Sequence, residues 1–376
     1  MNTGSGSITP EQFYTLALSQ IKNVGSVIGK NLIAAFGSAE SIFKSKKHQL
    51  VKVPGVGEVI ANEILKSKDE ALKFAEQECK KIEQYKLSIC CYADENYPTR
   101  LKFYNDSPLV FYYSGETVWN AEKTVAIVGT RKPTIYGKDL VIKFIEGIRQ
   151  TNAVIVSGLA YGIDAIAHQE ALNNGLKTIA VLGNGLPDIY PASHTSLAKE
   201  IIENGAVLSE YPIKSEPDAI NFPKRNRIVA ALSDAVVVVE SKVEGGSMIT
   251  ASIANSYNKD VFAFPGRAND LYSSGCNALI KLNKAQMIES ADDFLYFMNW
   301  VKDDKKAQNT TPSLPIALSP EQEKIINLLR EKNKLHIDEI SYYSELPGSQ
   351  LSMILLEMEM NNWIRALPGK MYEVSI

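Results

Sequence analysis

The sequence predicts an α/β fold, a parallel sheet covered by helices on both faces. A smaller helical region precedes it, and three helices with a hairpin follow. Three observations carry this reading. Short β-branched runs recur at 125–128, 154–156, 179–182, 207–208, 236–239 and 261–264. Helical stretches of roughly a dozen residues separate most of them. The runs are continuously apolar rather than alternating, as strands buried on both faces must be.

Residues 1–80 form the helical region. The stretch 50–65, LVKVPGVGEVIANEIL, places the tight turn Pro54-Gly55-Val56-Gly57 between two short amphipathic helices. It resembles a helix-hairpin-helix of the SAM-like kind, whose turn amides approach phosphate without sequence preference. A plain helical bundle with a glycine cap is the other reading. An earlier copy, IKNVGSVIGKNL at 21–32, is degenerate, with Val27 where the second glycine is expected.

Residues 81–300 hold the sheet. The stretch from about 85 to 118, rich in Tyr, Pro and Phe, leads into it as a cap. Ligands of parallel sheets bind beyond the C-terminal strand ends. The polar residues there are Gly129-Thr130-Arg131, Ser157-Gly158, Gly183-Asn184-Gly185, Glu210 and Glu240-Ser241. Gly129, Thr130 and Arg131 combine turn amides, a hydroxyl and a guanidinium, which suits phosphate. A surface arginine explains the same residues.

The most informative run is FPKRNRIVAALSDAVVVVESKVEGGSMITASIA at 222–254. Lys224, Arg225 and Arg227 stand where a helix begins, with Asn221 as its N-cap and Pro223 in its first turn. Helix starts favour acids, so cations there are costly unless an anion binds. One arginine can instead pair with Glu210 or Glu240. Gly245 and Gly246 open the next helix, a further place for an anion. Gly183-Asn184-Gly185 lacks the third glycine of a dinucleotide fingerprint, so NAD and FAD are not expected. His168 has no Cys or acid at ligand spacing and reads as packing. No catalytic triad spacing is present.

Residues 301–319 read as a polar, proline-bearing linker. Residues 320–376 carry three amphipathic helices and a hairpin around Pro368-Gly369, a winged-helix pattern. Many winged helices bind duplex DNA. The third helix here has Glu357 and Glu359 but no Lys or Arg, so a protein-contact surface is the favoured reading.

Composition sets limits. The chain has 376 residues, 45% of them hydrophobic and 22% charged, with net charge −3. A nucleic-acid site must therefore be a local patch on a mildly acidic body. No apolar run is long enough to span a bilayer, and no signal peptide is evident. The four cysteines show neither a CxxC nor a Cys/His cluster, so no zinc site or disulfide framework is expected, and a reducing cytoplasm is implied.

These residues carry a resemblance. The blocks VAIVGTRKPTIYG (125–137), VSGLAYGIDAIAHQEAL (156–172), IAVLGNGLPDIYPASH (179–194), LSEYP (208–212) and FPKRNRIVAALSDAVVVVE (222–240) with GGSMITASIA (245–254) are similar to the DNA-processing protein A family (DprA, also called Smf). The resemblance implies a Rossmann-like core that binds single-stranded DNA, protects it, and helps load RecA recombinase on it during natural transformation. It implies a homodimer and no enzymatic activity; no cofactor or metal is expected from the residues. The family's GSR or GTR motif falls on Gly129, Thr130 and Arg131. Its FPxRNR motif falls on Phe222, Pro223, Lys224, Arg225, Asn226 and Arg227, and its GGS loop on Gly245, Gly246 and Ser247.

Single-strand binding needs a cationic track and aromatic faces. Arg131 and Lys224 supply the track; Phe222, Tyr136 and Tyr161 are candidate faces. The helix from Cys276 to Leu282 is a candidate dimer surface. The rival is a LOG-like nucleoside-monophosphate phosphoribohydrolase, whose signature is PGGxGTxxE. Here the comparable stretch runs from Glu244 to Thr250, without the second glycine–threonine pair or the catalytic acid. A nucleotide-sensing module is a third reading.

Overall fold

The computed structural model describes residues 8–300, 319–332, 334–361, 363–367 and 370–374. The expected linker, save Ser319, and the turn at Pro368-Gly369 lie outside them. The chain divides near residue 301 into two compact units.

The first unit opens with α1 (Pro10–Ser19), α2 (Ser26–Phe36), α3 (Ala39–Lys44), α4 (Lys47–Leu50) and α5 (Glu58–Tyr85). The two hairpin turns are true copies, aligned differently from the sequence reading. Gly25 and Gly57 are the matching N-caps of α2 and α5, at φ −77° and −86°. Gly55 takes φ +86°, and Asn23 holds the same left-handed place at φ 66°. Asparagine tolerates that conformation, so the first copy lacks the first glycine, not the second. The helix after the second turn is not short, since α5 runs for 28 residues.

The expected boundary at 80 therefore falls inside α5. Its buried face continues into one apolar core: Ile64, Ala75 and Ile82 share a cluster with Tyr112 and Val207 of the sheet. Polar ties reinforce the join. Glu78, fully buried, accepts the Ile213 amide at 3.0 Å. The Lys30 ammonium of α2 donates to the carbonyls of Tyr104 and Asn105 and to Ser107 Oγ. Burial lowers the pKa of Lys30 to about 8.

The sheet consists of β1 (Ser88–Cys91), β2 (Val110–Gly115), β3 (Thr124–Val128), β4 (Val154–Ser157), β5 (Thr178–Val181), β6 (Gly205–Ser209), β7 (Ala235–Val238), β8 (Asp260–Ala263) and β9 (Gln286–Met287). Its order is β1-β2-β6-β5-β4-β3-β7-β8-β9. Strands β3 to β9 pair in parallel, while β1 and β2 add antiparallel on the β6 edge. The 85–118 segment thus extends the sheet rather than capping it.

Helices α6 (Thr99–Lys102), α7 (Ile135–Ile148), α8 (Ile163–Asn173), α9 (Thr195–Glu203), α10 (Asn221–Leu232), α11 (Gly246–Ser256), α12 (Ser274–Lys281) and α13 (Ala291–Phe297) cover it. Side chains along β3 and β7 feed the two faces in turn. Val125, Ile127, Ala235 and Val237 enter the layer under α7 and α8. Ala126, Val128, Val236 and Val238 enter the layer under α10 and α11. Arg100 of α6 locks the strand starts. Its Nε and Nη2 grip both oxygens of Asp234, at 2.7 and 2.9 Å, and Asp234 accepts the Thr124 amide.

The second unit contains α14 (Pro320–Lys332), β10 (Lys334–His336), α15 (Ile337–Ser344), α16 (Gly348–Met360), β11 (Ile364–Leu367) and β12 (Met371–Val374). It is a winged helix. Strand β10 joins the hairpin in a three-stranded sheet ordered β10-β12-β11, a strand the sequence reading missed. Glu357 and Glu359 of α16 are exposed, beside the exposed apolar Met353, Leu356 and Met360. Among the described residues no helix is long and apolar enough to cross a membrane.

Candidate functional site

The chain leaves β3 on one side, through β4, β5 and β6, and returns on the other as β7. Loops after β3 and β7 must therefore part, and a crevice opens at their C-terminal ends. It holds a cavity of about 1060 Å³, lined by the loop after β3, the start of α10 and the loop leading into α11.

Gly129, Thr130 and Arg131 line this cleft, and so do Phe222, Arg225, Asn226, Gly245, Gly246 and Ser247. The amides after β3, which the sequence reading takes as free, are not all so. The Thr130 amide donates to the Glu240 carbonyl at 2.7 Å, and the Thr130 carbonyl accepts from Ile163. Thr130 is a structural link between β3, β7 and α8, and Arg131, which is exposed, presents the charge.

Helix α10 divides its residues among three directions. Phe222 and Asn226, one turn apart, face the cleft. Ile228 and Leu232 face the core. Arg225 also points inward, 4% exposed. Its Nη1 donates to the Gly158 carbonyl at 2.7 Å and to the Val181 carbonyl, the ends of β4 and β5. Burial lowers its pKa, opposed by the Asp164 carboxylate. Arg225 is thus a buried anchor at the cleft floor rather than an exposed contact. Arg227 does not line the cleft; it pairs with Glu210. Burial raises the pKa of Glu210, and Arg227 opposes the rise. Lys224 is exposed beside the cleft but outside its lining. Asn221 is the first helical residue, not the cap; Ile220 holds that place and makes no side-chain bond.

Both helix starts at the cleft, α10 and α11, lack a side-chain cap and an acid in the first turn. The amide end of α11 suits an anion, whereas at α10 the Asn221 amide donates to the Asp218 carbonyl, the Ile220 amide donates to the Asp218 carboxylate, and Pro223 has no amide to offer. Ser247 Oγ bonds Ser241 Oγ at 2.7 Å and shapes the loop, while exposed Gly246 has nothing within 4 Å of a would-be Cβ. A ligand can approach the backbone there. Lining charges are Arg131, Lys132, Arg225 and Lys242 against Asp164 and Glu216, an excess of cations.

Sequence-model comparisons fit this architecture throughout. The family description DNA recombination-mediator protein A matches residues 88–299, the DprA winged helix domain residues 309–370, and a helix-hairpin-helix motif residues 14–70. The chain belongs to the DNA recombination-mediator protein A family. Protein Smf of Synechocystis sp. is 33% identical over 96% of this chain and 98% of its own. DNA processing protein DprA of Streptococcus pneumoniae is 42% identical over 54% of this chain and 71% of its own. The X-ray structure of S. pneumoniae DNA processing protein A has a TM-score of 0.64 at 32% identity, covering 77% of this chain and 98% of that one. A structure of Helicobacter pylori DNA processing protein A, described in terms of that protein's single-stranded DNA binding mode, has a TM-score of 0.52 at 36% identity. It covers 57% of this chain and 96% of that one.

In this member of the family the aromatic surface differs from expectation. Phe222 lines the cleft together with Tyr190, their rings 5.6 Å apart, and with Tyr272, over which Lys242 lies. Tyr136 and Tyr161 lie outside its lining. Sequence reasoning misses Tyr190, Lys132 and Lys242, although each follows a strand end. Gly183 has a packing role: a Cβ there would lie 2.8 Å from the Phe222 ring. Glu240 is buried, and its carboxylate holds the Thr134 amide and hydroxyl at the start of α7. Among the described residues no group of three or more His, Cys, Asp or Glu could hold a metal.

Arg225→Met should lower the unfolding free energy by about 3–5 kcal/mol, because Asp164 stays buried without its counter-charge. Lys224→Met should change it by less than about 0.5 kcal/mol. Urea denaturation measures both; equal small effects would show that Arg225 is no anchor.

His168 is fully buried and bonded to Thr178 Oγ1 at 2.7 Å, and burial lowers its pKa from 6.5 to about 3. Between those values the unfolded chain binds a proton that the folded chain does not. Its contribution to stability therefore falls as pH drops through that window. His168→Gln should flatten this part of a stability-against-pH profile, and an unchanged slope would contradict the assignment.

Proposed function

We propose that the cleft binds single-stranded DNA through its backbone, and that the chain protects the strand and helps pass it to RecA recombinase during DNA uptake. One observation carries the binding reading. Arg131, Lys132 and Lys242 meet the uncapped start of α11 and the Phe222–Tyr190 surface in one cleft. Cations and amides take phosphates, and aromatic faces take unpaired bases. The H. pylori relative, described by its single-stranded DNA binding mode, supports the strand type. Family membership is the support for the RecA step and for transformation. Delivery is tested by RecA filament assembly on DNA coated with single-strand binding protein, which this chain should accelerate.

The proposed partner set includes a second copy of the chain. The helix at 276–282 offers little apolar surface to a second copy, since Cys276 and Leu279 are buried and Leu282 is its one exposed large apolar side chain. Light scattering should show a dimer; a monomer at the concentrations that bind DNA would contradict that part of the reading.

The competing reading is nucleoside-monophosphate hydrolysis. Asp164 is the buried acid of the cleft, its pKa raised by burial, and its Oδ2 accepts the Gly158 and Ala160 amides. Glu244 is exposed on the loop, away from the cleft lining. We read the chain as a binding protein, for which nucleoside monophosphates should yield no free base. Turnover abolished by Asp164→Asn would overturn this.

Anisotropy titrations should show single strands bound well ahead of duplex, with little sequence preference. Arg131→Glu and Lys224→Glu should each weaken binding and lower the log–log salt slope by about 0.7 for every phosphate no longer neutralised. Equal affinity for both DNA forms, or an unchanged slope in both variants, would place the strand elsewhere.

A further inference from the structure

Behind the Arg131–Lys132 loop lies a second cavity, of about 490 Å³. Arg131 and Lys132 line both cavities, so this loop is a ridge between them. The far side of the second cavity is built from Lys138 of α7 and from Tyr161. Lys132 and Lys138 are exposed, and among the described residues neither takes part in a salt bridge. Among the described residues no acid lines the cavity. Tyr161 is 49% exposed, and its ring is steadied edge-on by His194, at 5.1 Å. His194 is itself held by the Leu159 carbonyl.

The backbone between the cavities is fixed. Gly162, at φ +81°, lets the loop after β4 touch the loop after β3; a Cβ there would lie 2.3 Å from the Thr130 carbonyl oxygen. The ridge and Tyr161 therefore keep a set separation. Cations without counter-ions beside a fixed, half-exposed aromatic ring are the ingredients of single-strand binding.

We propose that the second cavity is an adjoining subsite for the same strand. It takes a neighbouring unpaired nucleotide, with phosphate against Lys132 and Lys138 and base against Tyr161. The proposal rests on the reading of the main cleft as a single-strand site. It deepens that reading by giving the strand a path across the ridge.

The test uses the full chain and labelled oligothymidylates of increasing length. Parent affinity should rise in two steps, the second when the strand first spans both cavities. Tyr161→Ala should weaken long strands by about tenfold, the equivalent of about 1.4 kcal/mol of stacking. It should leave the shortest bound strands unchanged, and Tyr161→Phe should restore long-strand affinity. Lys138→Glu should act likewise and lower the salt slope by about 0.7 for long strands only. If both variants match the parent at every length while Arg131→Glu binds poorly, the subsite falls and the main cleft stands. Equal weakening at all lengths also overturns it. If Arg131→Glu too matches the parent, the underlying reading fails.

Discussion

The Arg225 guanidinium lies buried across the ends of β4 and β5, bonded to the Gly158 and Val181 carbonyls. A buried charge is expensive unless its hydrogen bonds are satisfied and a counter-charge is near. Those two carbonyls and Asp164 meet that need, and the result is directional. With Arg225 pinned, helix α10 has one rotation about its axis. Phe222 and Asn226 then face the cleft, and Arg227 meets Glu210. Gly158 completes the constraint, since a Cβ there would lie 2.4 Å from the guanidinium.

The cations of the FPxRNR segment thus serve different ends. Arg225 and Arg227 fix the helix, and Lys224 remains exposed at its start. Charge facing the cavity comes largely from other loops, through Arg131, Lys132 and Lys242. The strand order makes this possible. Because β3 and β7 are neighbours with diverging connections, loops some 110 residues apart in sequence face each other. The tie from the Thr130 amide to the Glu240 carbonyl holds the two loops in register.

The six central strands, the two flanking helical regions and the glycine-rich loops were legible, because continuous apolar runs and strand-end polar residues leave local marks. Strands β1 and β2 were not, since their Tyr and Phe residues look alike whether they cap a sheet or extend it. The split of roles inside FPKRNR was only half legible. Helical spacing groups Arg225 with the apolar positions Ile228 and Leu232, but the carbonyls that receive it come from strands 40 to 70 residues earlier. Tyr190 carried a usable signal, as an aromatic in the loop after β5. The alignment of the first hairpin was hidden because Asn23 occupies a left-handed position usually marked by glycine.

The central claim is that one strand of DNA lies in the cleft between the β3 and β7 loops, stacked on its aromatic wall. Photo-cross-linking of a thymidine strand to the full chain, followed by peptide mapping, tests this most directly. The account predicts adducts on Phe222 and Tyr190. Adducts confined to the hairpin turns of residues 14–70, or to the winged helix of residues 320–374, would contradict it.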